Sequence, residues 1–263
     1  MSIQAKVKVQ ASWDRIWTDR RYLFRPVSLK NDTISVLLAR ALKTIEKSSG
    51  IFLDVGSGPG SRTIPLVGKL GKFRLMLLDN SPKALFEGAR YASAKKVKAY
   101  FVKGDAFRIP FDSNSIACTF SNGLNEHFDD RDRQELFNEM ARVTRRGGVV
   151  VIIVPNKLNP FHSLNKMVRE KKGSWIYGPQ YDFTPPELIR CMEKAGLKHI
   201  EEFGAGAFTS WIRLFAREKQ QRLVSYPTPF KILNRALHNL DMKVDLAINK
   251  KFGREIMVIG KKF

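Results

Sequence analysis

A glycine-rich turn is the segment of this chain whose residue types could most directly support chemistry. Gly56, Gly58 and Gly60 follow an apolar run at 51–53 and precede a helix predicted over 63–70. Because glycine has no Cβ, the backbone of such a turn can approach a ligand closely. Backbone N–H groups at the start of the helix can then face a polar or anionic group. The turn therefore predicts a site for a nucleotide-like cofactor.

The spacing of these glycines separates one cofactor class from another. It is G-x-G-x-G, with Asp54 two positions before the first glycine. Dinucleotide-binding loops place their third small residue where this chain has Ser61, so the spacing disfavours a nucleotide-dependent dehydrogenase. For this segment alone, a tight turn that binds no ligand is an open alternative.

Carboxylates follow the next two predicted strands. Asp79 ends a strand predicted over 73–78, where a carboxylate can accept hydrogen bonds from both hydroxyls of a ribose. Ser81 before Pro82 is the better cap for the following helix, which leaves Asp79 to a ligand. Asp105 follows a third strand predicted over 99–102, and a simple turn residue is the alternative there.

Taken in series, these segments resemble the cofactor motifs of the class I S-adenosylmethionine-dependent methyltransferases, over about residues 50 to 156. The resemblance implies that the cofactor is S-adenosyl-L-methionine, that the product is S-adenosyl-L-homocysteine, and that Asp105 receives the adenine amino group. One departure is Ala117, where many relatives carry an aspartate in the fourth strand. The cofactor-binding residues predicted in this way are Asp54, Gly56, Ser57, Gly58, Gly60, Asp79, Asn80, Asp105, Ala106 and Asn122.

The later elements fit the same architecture. A fourth strand at 116–120 leads to an amphipathic helix over 131–144, which Gly147 is predicted to end, and then to a buried strand at 149–154. Further strands are predicted at 197–203 and 255–261. We expect an α/β fold with a doubly wound, mostly parallel seven-stranded sheet and helices on both faces. The family resemblance implies an antiparallel last strand.

The chain is expected to form a single domain. Its predicted parts are an N-terminal helical cap at 1–48, a cofactor-binding core at 49–155, and a lid with substrate-facing helices and the last strands at 156–263. Trp13, Ile16 and Trp17 recur at helical spacing, which favours packing of this helix on the core. The same run is similar to the family's segment over the cofactor pocket.

Candidates for acid–base chemistry and for substrate contact lie after the fourth and fifth strands. A base is needed only if the methyl acceptor must lose a proton. Glu126 and His127 are the catalytic candidates, with simple packing as the alternative for His127. The segment at 156–183 leaves the end of a central strand, where ligands of open α/β sheets bind, and is predicted to be a substrate lid. Its candidate substrate contacts are His162, Trp175, Tyr177 and Tyr181.

The net charge of +21 is large for a chain of 263 residues, and about half of this excess falls in the part from 156 onward. Such a charge can attract nucleic acid or an anionic membrane surface, or it can simply be solvated. A basic amphipathic segment at 208–222 could likewise lie on a membrane or pack on the domain. We expect a cytoplasmic protein that can associate with a membrane periphery, because no signal peptide or membrane-spanning run is evident. No cysteine or histidine cluster has metal-ligand spacing, so we expect no metal site.

The predicted function is S-adenosylmethionine-dependent methyl transfer to a small molecule that can carry an apolar or lipid-like part. One alternative is an RNA methyltransferase, motivated by the charge. Another is a non-catalytic cofactor-binding protein of the same fold. The run at 121–124 lacks the N-P-P-Y signature of amino-methylating nucleic-acid enzymes. Neither Cys118 nor Cys191 lies in a loop near the site, where pyrimidine C5 enzymes need a nucleophile.

Overall fold

The computed structural model describes residues 3–18, 32–210 and 236–263. Its centre is a seven-stranded sheet in the order β3-β2-β1-β4-β5-β7-β6. The first five strands in this order run parallel, and β7 runs antiparallel to both β5 and β6. The predicted fold class is thereby confirmed. The strands are β1 Gly50–Val55, β2 Phe73–Asp79, β3 Ala99–Lys103, β4 Ile116–Asn122, β5 Thr144–Pro155, β6 Leu197–Ala205 and β7 Glu255–Lys262.

Helices cover both faces of this sheet. Phe52 and Leu53 are neighbours in β1 but belong to two different buried clusters, because successive strand side chains point to opposite faces. One cluster includes Leu37 and Leu38 of α2, and the other includes Phe137 of α5. The helices are α1 Ile3–Thr18, α2 Thr33–Thr44, α3 Thr63–Val67, α4 Pro82–Ala94, α5 Asp130–Val143, α6 Pro160–Lys171, α7 Pro185–Lys194 and α8 Ala247–Phe252, with short 3-10 turns at Gly68–Leu70 and Asn125–His127.

The helix start predicted at Ser81 and Pro82 is confirmed, and α7 begins with a cap of its own. Ser81 accepts a hydrogen bond from the Ala84 amide at the start of α4, with proline at the first helical position. Thr184 and Glu187 form a reciprocal capping box at the start of α7. These caps fix where α4 leaves β2 and where the chain re-enters the sheet after the 156–183 segment.

The helix predicted over 131–144 agrees with α5 to within one residue at each end, but the prediction that Gly147 ends it is wrong. Helix α5 ends at Val143, and Thr144 already has extended backbone as the first residue of β5. Its hydroxyl donates to the Met140 carbonyl at 2.7 Å and shares a hydrogen bond with Thr119 of β4, which ties this residue to the sheet. The register then jumps from Thr144 to Val149, so Gly147 lies in a bulge of β5 with φ of 74°.

Two sequence predictions lie largely outside the described residues. These are the basic amphipathic segment at 208–222 and a helix at 229–240. Within the described ranges, no helix combines the length and apolar character that a membrane span requires. The same ranges contain no group of three or more histidine, cysteine, aspartate or glutamate side chains placed to hold a metal ion.

Gly60 joins the turn after β1 to β2, and its substitution tests this packing. It has φ of +64°, and a Cβ added there would lie 2.0 Å from Leu77 Cδ2. We expect Gly60→Ala to lower the free energy of unfolding by about 3 kcal/mol, from backbone strain plus overpacking. Urea denaturation measures the change.

Gly71 is the matched control for this substitution. It has φ of +67°, but a Cβ there meets nothing within 4 Å. Gly71→Ala should therefore lower the free energy of unfolding only through backbone strain, by about 1 kcal/mol. Equal losses in the two variants would show that the contact between Gly60 and Leu77 does not constrain the turn.

Candidate functional site

A cavity of about 480 Å³ opens at the carboxyl ends of β1, β2, β3 and β4. Its volume lies in the range of roughly 300–1,000 Å³ that is typical of small-molecule and cofactor sites. Parallel strands bring their carboxyl ends to one edge, so four separate loops meet there. The lining residues are Trp13, Trp17, Gly56, Ser57, Gly58, Pro59, Ser61, Arg62, Leu78, Asp79, Asn80, Gly104, Asp105, Ala106, Phe107, Asn122, Gly123, Leu124 and Phe128.

The turn after β1 forms one wall of this cavity and depends on glycine. Gly56 and Gly58 have φ of 66° and 52°, values that side chains with a Cβ rarely adopt. A Cβ on Gly58 would lie 2.8 Å from the Trp17 ring, so the ring of α1 packs directly on the turn. The absence of side chains here leaves the backbone open to the cavity.

Asp79 at the end of β2 organises the neighbouring wall. Its Oδ2 accepts a hydrogen bond from the Gly58 amide at 2.7 Å, and its Oδ1 accepts one from the Ser81 amide at 2.8 Å. Burial raises the pKa of Asp79, and the two amide hydrogen bonds partly offset that rise. Each carboxylate oxygen has a further lone pair, so the group can still accept hydroxyl hydrogen bonds from a ligand.

The turn after β3 provides a third wall. Asp105 is exposed, and its Oδ1 accepts a hydrogen bond from the Phe107 amide at 2.9 Å. Phe107 packs edge-on against Phe128 with ring centres 5.0 Å apart. Asp105 thus stabilises the turn and also lines the cavity. The pair of aromatic rings adds a flat apolar surface.

Asp54 and Gly60 are not among the residues that line the cavity. Asp54 is buried and accepts a hydrogen bond from the Thr63 hydroxyl at 2.7 Å. Burial raises the pKa of Asp54 to about 7. Its contact joins β1 to the start of α3, and Gly60 packs against β2. Both residues therefore stabilise the glycine turn from the side that faces away from the cavity. The other eight predicted cofactor residues line the cavity.

Glu126 and His127 are buried just behind the wall formed by Gly123. A Cβ on Gly123 would lie 3.8 Å from Glu126 Oε1. Burial raises the pKa of Glu126 to about 8, so the carboxyl group is mostly protonated at neutral pH. Burial lowers the pKa of His127 to about 4, so its ring is neutral. His127 Nδ1 lies 2.9 Å from the Pro179 carbonyl, which can only accept, so this nitrogen carries the proton.

Several buried polar groups at the end of β4 lack hydrogen-bond partners. They are the Ser121 hydroxyl, both amide atoms of Asn125 and Glu126 Oε2, as judged over the described residues. Leaving such a group unpaired costs about 1–3 kcal/mol. Buried groups of this kind call for a water, an ion or a ligand to complete them. The three side chains are buried and do not line the cavity themselves, although the chain between them forms part of its wall.

The predicted lid residues divide into two groups. Tyr177 lies 6.0 Å from Trp13 and 5.2 Å from Trp175, measured between ring centres, and Trp175 lies 6.4 Å from His162. These rings form a row that leads from the cavity wall into the 156–183 segment. The Tyr181 side chain is exposed and lines a different groove, although its backbone amide donates to the Glu126 carbonyl.

Sequence reasoning missed part of the cavity wall. Trp13 and Trp17 were favoured as packing residues, yet both line the cavity, and their rings stack 5.7 Å apart. The similarity of this run to the family's N-terminal segment was the usable signal. For Asn125, by contrast, no local pattern indicates a role, because its burial without a partner among the described residues depends on the tertiary structure.

Comparison with known proteins agrees with this geometry. Residues 52–148 match a family model described as a methyltransferase domain. This part of the chain, which includes most of β1, all of β2 to β4 and the start of β5, is therefore similar to methyltransferase domains. A possible histamine N-methyltransferase from Thermotoga maritima has the same fold, with a TM-score of 0.66, 15% identity, and coverage of 97% of this chain and 100% of that one.

A second structure with this fold and one similar sequence carry more specific names. Geranyl diphosphate C-methyltransferase from Streptomyces coelicolor aligns with a TM-score of 0.63 at 14% identity, covering 97% of this chain and 98% of that one. A 2-methyl-6-phytyl-1,4-hydroquinone methyltransferase from Oryza sativa is 32% identical over 57% of this chain and 39% of its own length. The chain thus spans about two fifths of the length of such curated relatives.

The burial of Glu126 predicts a pH dependence of stability. Its pKa is about 8 in the folded state against an ordinary value of 4.5, so between these values the folded state keeps a proton that the unfolded state has released. The free energy of unfolding therefore falls as pH rises through this window. We expect Glu126→Gln to reduce that fall by a few kcal/mol between about pH 5 and about pH 8 in urea denaturation.

Glu135 provides the control for the pH experiment, because its side chain is 51% exposed on α5. Glu135→Gln should leave the pH dependence as it is in the wild type. If Glu126→Gln also leaves it unchanged, the carboxyl group at 126 is not held protonated by burial.

Proposed function

We propose that this protein transfers a methyl group from S-adenosyl-L-methionine to a small molecule with an apolar part. The observation that carries the proposal is the cavity at the ends of the first four strands. It brings together residues from three separate sequence motifs, among them Gly58, Asp79 and Asp105. Their convergence on one space of about 480 Å³ argues against three unrelated turns.

The residues present fit an adenosyl cofactor. The glycine turn gives a cradle that a Cβ would fill, since a Cβ on Gly56 would lie 3.0 Å from Leu124 and one on Gly58 would meet Trp17. Asp79 supplies carboxylate acceptors suited to ribose hydroxyls. Phe107 offers an aromatic surface suited to a flat base, beside Asp105. We assign cofactor binding to this set and to Ser57, Asn80, Ala106 and Asn122.

The chemistry requires alignment and exclusion of water more than it requires a reactive side chain. When bound, the cofactor supplies an activated methyl group on its sulfonium. The protein's part is to hold the acceptor in line, which can lower the barrier by about 7–11 kcal/mol. Trp13 and Trp17 cover the glycine turn, and Leu124 and Phe128 add apolar wall, so the cavity can exclude water around the reacting atoms.

Glu126 is the stronger candidate for a proton-accepting group. With a pKa of about 8, it lies much nearer neutrality than His127, whose pKa of about 4 makes the imidazole a weak base. The carboxyl group lies behind Gly123, and one of its oxygens has no partner within the described residues. We infer that the minority of Glu126 that is ionised near neutral pH receives the acceptor's proton where the acceptor loses one, and that His127 supports Trp13, its edge-on neighbour at 5.2 Å.

The row of aromatic rings and the named similar proteins support a substrate with an apolar part. Trp13, Tyr177, Trp175 and His162 give a path of rings from the cavity into the lid. Flat apolar surfaces of this kind suit a substrate with an isoprenoid or aromatic part. The named relatives from rice and from Streptomyces coelicolor act on a phytyl hydroquinone and on geranyl diphosphate.

Calorimetry with S-adenosyl-L-methionine tests the cofactor assignment. We expect micromolar binding, about −8 kcal/mol, for the wild type. Asp79→Ala should weaken binding about a hundredfold, because two hydrogen bonds to a charged group are lost. Asp79→Asn should lose less, since one acceptor oxygen remains. Thermal unfolding of each variant separates lost binding from a collapsed turn, since Asp79 also holds the Gly58 amide.

Glu193→Ala is the matched control, because this exposed carboxylate of α7 lies outside the cavity. It should bind the cofactor as the wild type does. The same proteins, given labelled methyl donor and an apolar metabolite extract, should transfer label in proportion to their binding. Cofactor binding by the wild type with no transfer to any extract fraction would contradict the enzyme proposal and favour a binding protein.

A further inference from the structure

Helix α6 packs on the domain with its polar side inward. None of its residues is buried, and its more enclosed side chains are polar, including His162 and Lys166 with 10% and 15% of their side-chain surface exposed. An ordinary surface helix turns its apolar stripe toward the core and its charged residues toward water. Helix α6 reverses this arrangement, so hydrophobic burial is not what holds it in place.

Polar contacts hold the helix instead. Asp182, 6% exposed, lies 3.3 Å from both His162 Nε2 and Lys166 Nζ, and Gln180 Nε2 donates to its other oxygen at 2.6 Å. At the start of the helix, Asn159 is buried and donates to the Phe252 carbonyl at 2.8 Å. The helix is thereby fixed with one face toward the domain and the opposite face partly exposed.

The outward face carries a row of apolar side chains. Phe161, Leu164 and Val168 follow one another at i, i+3 and i+7, and Leu158 lies three positions before Phe161, in the turn that precedes the helix. Their exposed fractions are 36%, 43%, 37% and 38%, respectively. We call these four residues the α6 stripe. Scattered apolar residues on a surface are ordinary, but a contiguous stripe on one helical face marks an interaction surface.

Positive charge borders the stripe. Lys157, Lys171 and Lys172 are exposed at its two ends. Glu170 is the only acidic residue of α6, and it lies on the other side of the helix. There it lines a groove of about 790 Å³ between α6, α5 and α7, which Lys157 also borders. The stripe with its lysines thus has the pattern of an interfacial helix, apolar along its middle and cationic at its edges.

We propose that the α6 stripe docks on an anionic membrane surface. The apolar side chains would enter the headgroup region, and the three lysines would meet anionic lipid headgroups. Charge complementarity favours this occupant over a second copy of the chain, because two surfaces of a chain with net charge +21 repel each other. The proposal goes beyond methyl transfer, although a membrane is also where an apolar substrate would be collected.

Vesicle co-sedimentation of the full chain tests this proposal without any methyl donor. We expect the wild type to bind vesicles of equal parts phosphatidylcholine and phosphatidylglycerol, and to bind phosphatidylcholine vesicles far less. Leu164→Gln should weaken binding about tenfold, because a leucine no longer enters the apolar layer. Lys171→Gln together with Lys172→Gln should weaken it about 25-fold, from roughly fivefold for each lysine.

Phe86→Gln is the matched control, since Phe86 on α4 is 58% exposed and lies outside the stripe. It should bind vesicles as the wild type does. Calorimetry with S-adenosyl-L-homocysteine on each variant shows whether the cofactor cavity is intact, so a failure here is distinguishable from a failure of the methyltransferase proposal.

Three outcomes would overturn the membrane proposal. The first is a wild type that stays in solution with both kinds of vesicle. The second is a Leu164→Gln variant that sediments as the wild type does, or a Phe86→Gln variant that loses binding equally. The third is a concentration-dependent dimer in gel filtration that Leu164→Gln abolishes, since the stripe would then be covered by a second copy of the chain.

Discussion

The hydrogen bond from the Gly58 amide to Asp79 is the contact on which the candidate site depends. It joins the glycine turn after β1 to the end of β2, and the Ser81 amide holds the second carboxylate oxygen. One buried carboxylate thereby fixes two loops and still presents lone pairs to the cavity. Two further contacts hold the glycine turn in place. Gly60 packs on Leu77 on one side of the turn, and Trp17 packs on Gly58 on the other.

Desolvation organises the other side of the site. At the end of β4 the chain buries Glu126 and His127, which moves the pKa of the carboxyl group up to about 8 and that of the imidazole down to about 4. Both side chains are therefore uncharged near neutrality, in keeping with a cavity that must exclude water. The cost is a set of buried polar atoms at Ser121, Asn125 and Glu126 that have no hydrogen-bond partner among the residues the structure describes.

The sequence predicted the sheet and most of the cofactor cavity, because local signals suffice for these features. Glycine spacing, a carboxylate at a strand end and the Ser81–Pro82 cap all act within a few residues of one another. Prediction from the sequence failed for features that depend on contacts between residues far apart in the chain. The pairing of Thr144 with Thr119 ends α5 before Gly147, and packing alone places Asp54 behind the turn. The reversed face of α6 was likewise invisible, because it depends on Asp182, fifteen or more positions further along the chain.

The most direct test is a crystal structure of the protein with S-adenosyl-L-homocysteine. We expect the ligand in the cavity at the ends of β1 to β4, with both ribose hydroxyls within hydrogen-bond distance of Asp79. Its base should lie beside Phe107, and Trp13 and Trp17 should remain over the glycine turn. A structure in which this cavity is empty or blocked while the ligand binds elsewhere would contradict the account.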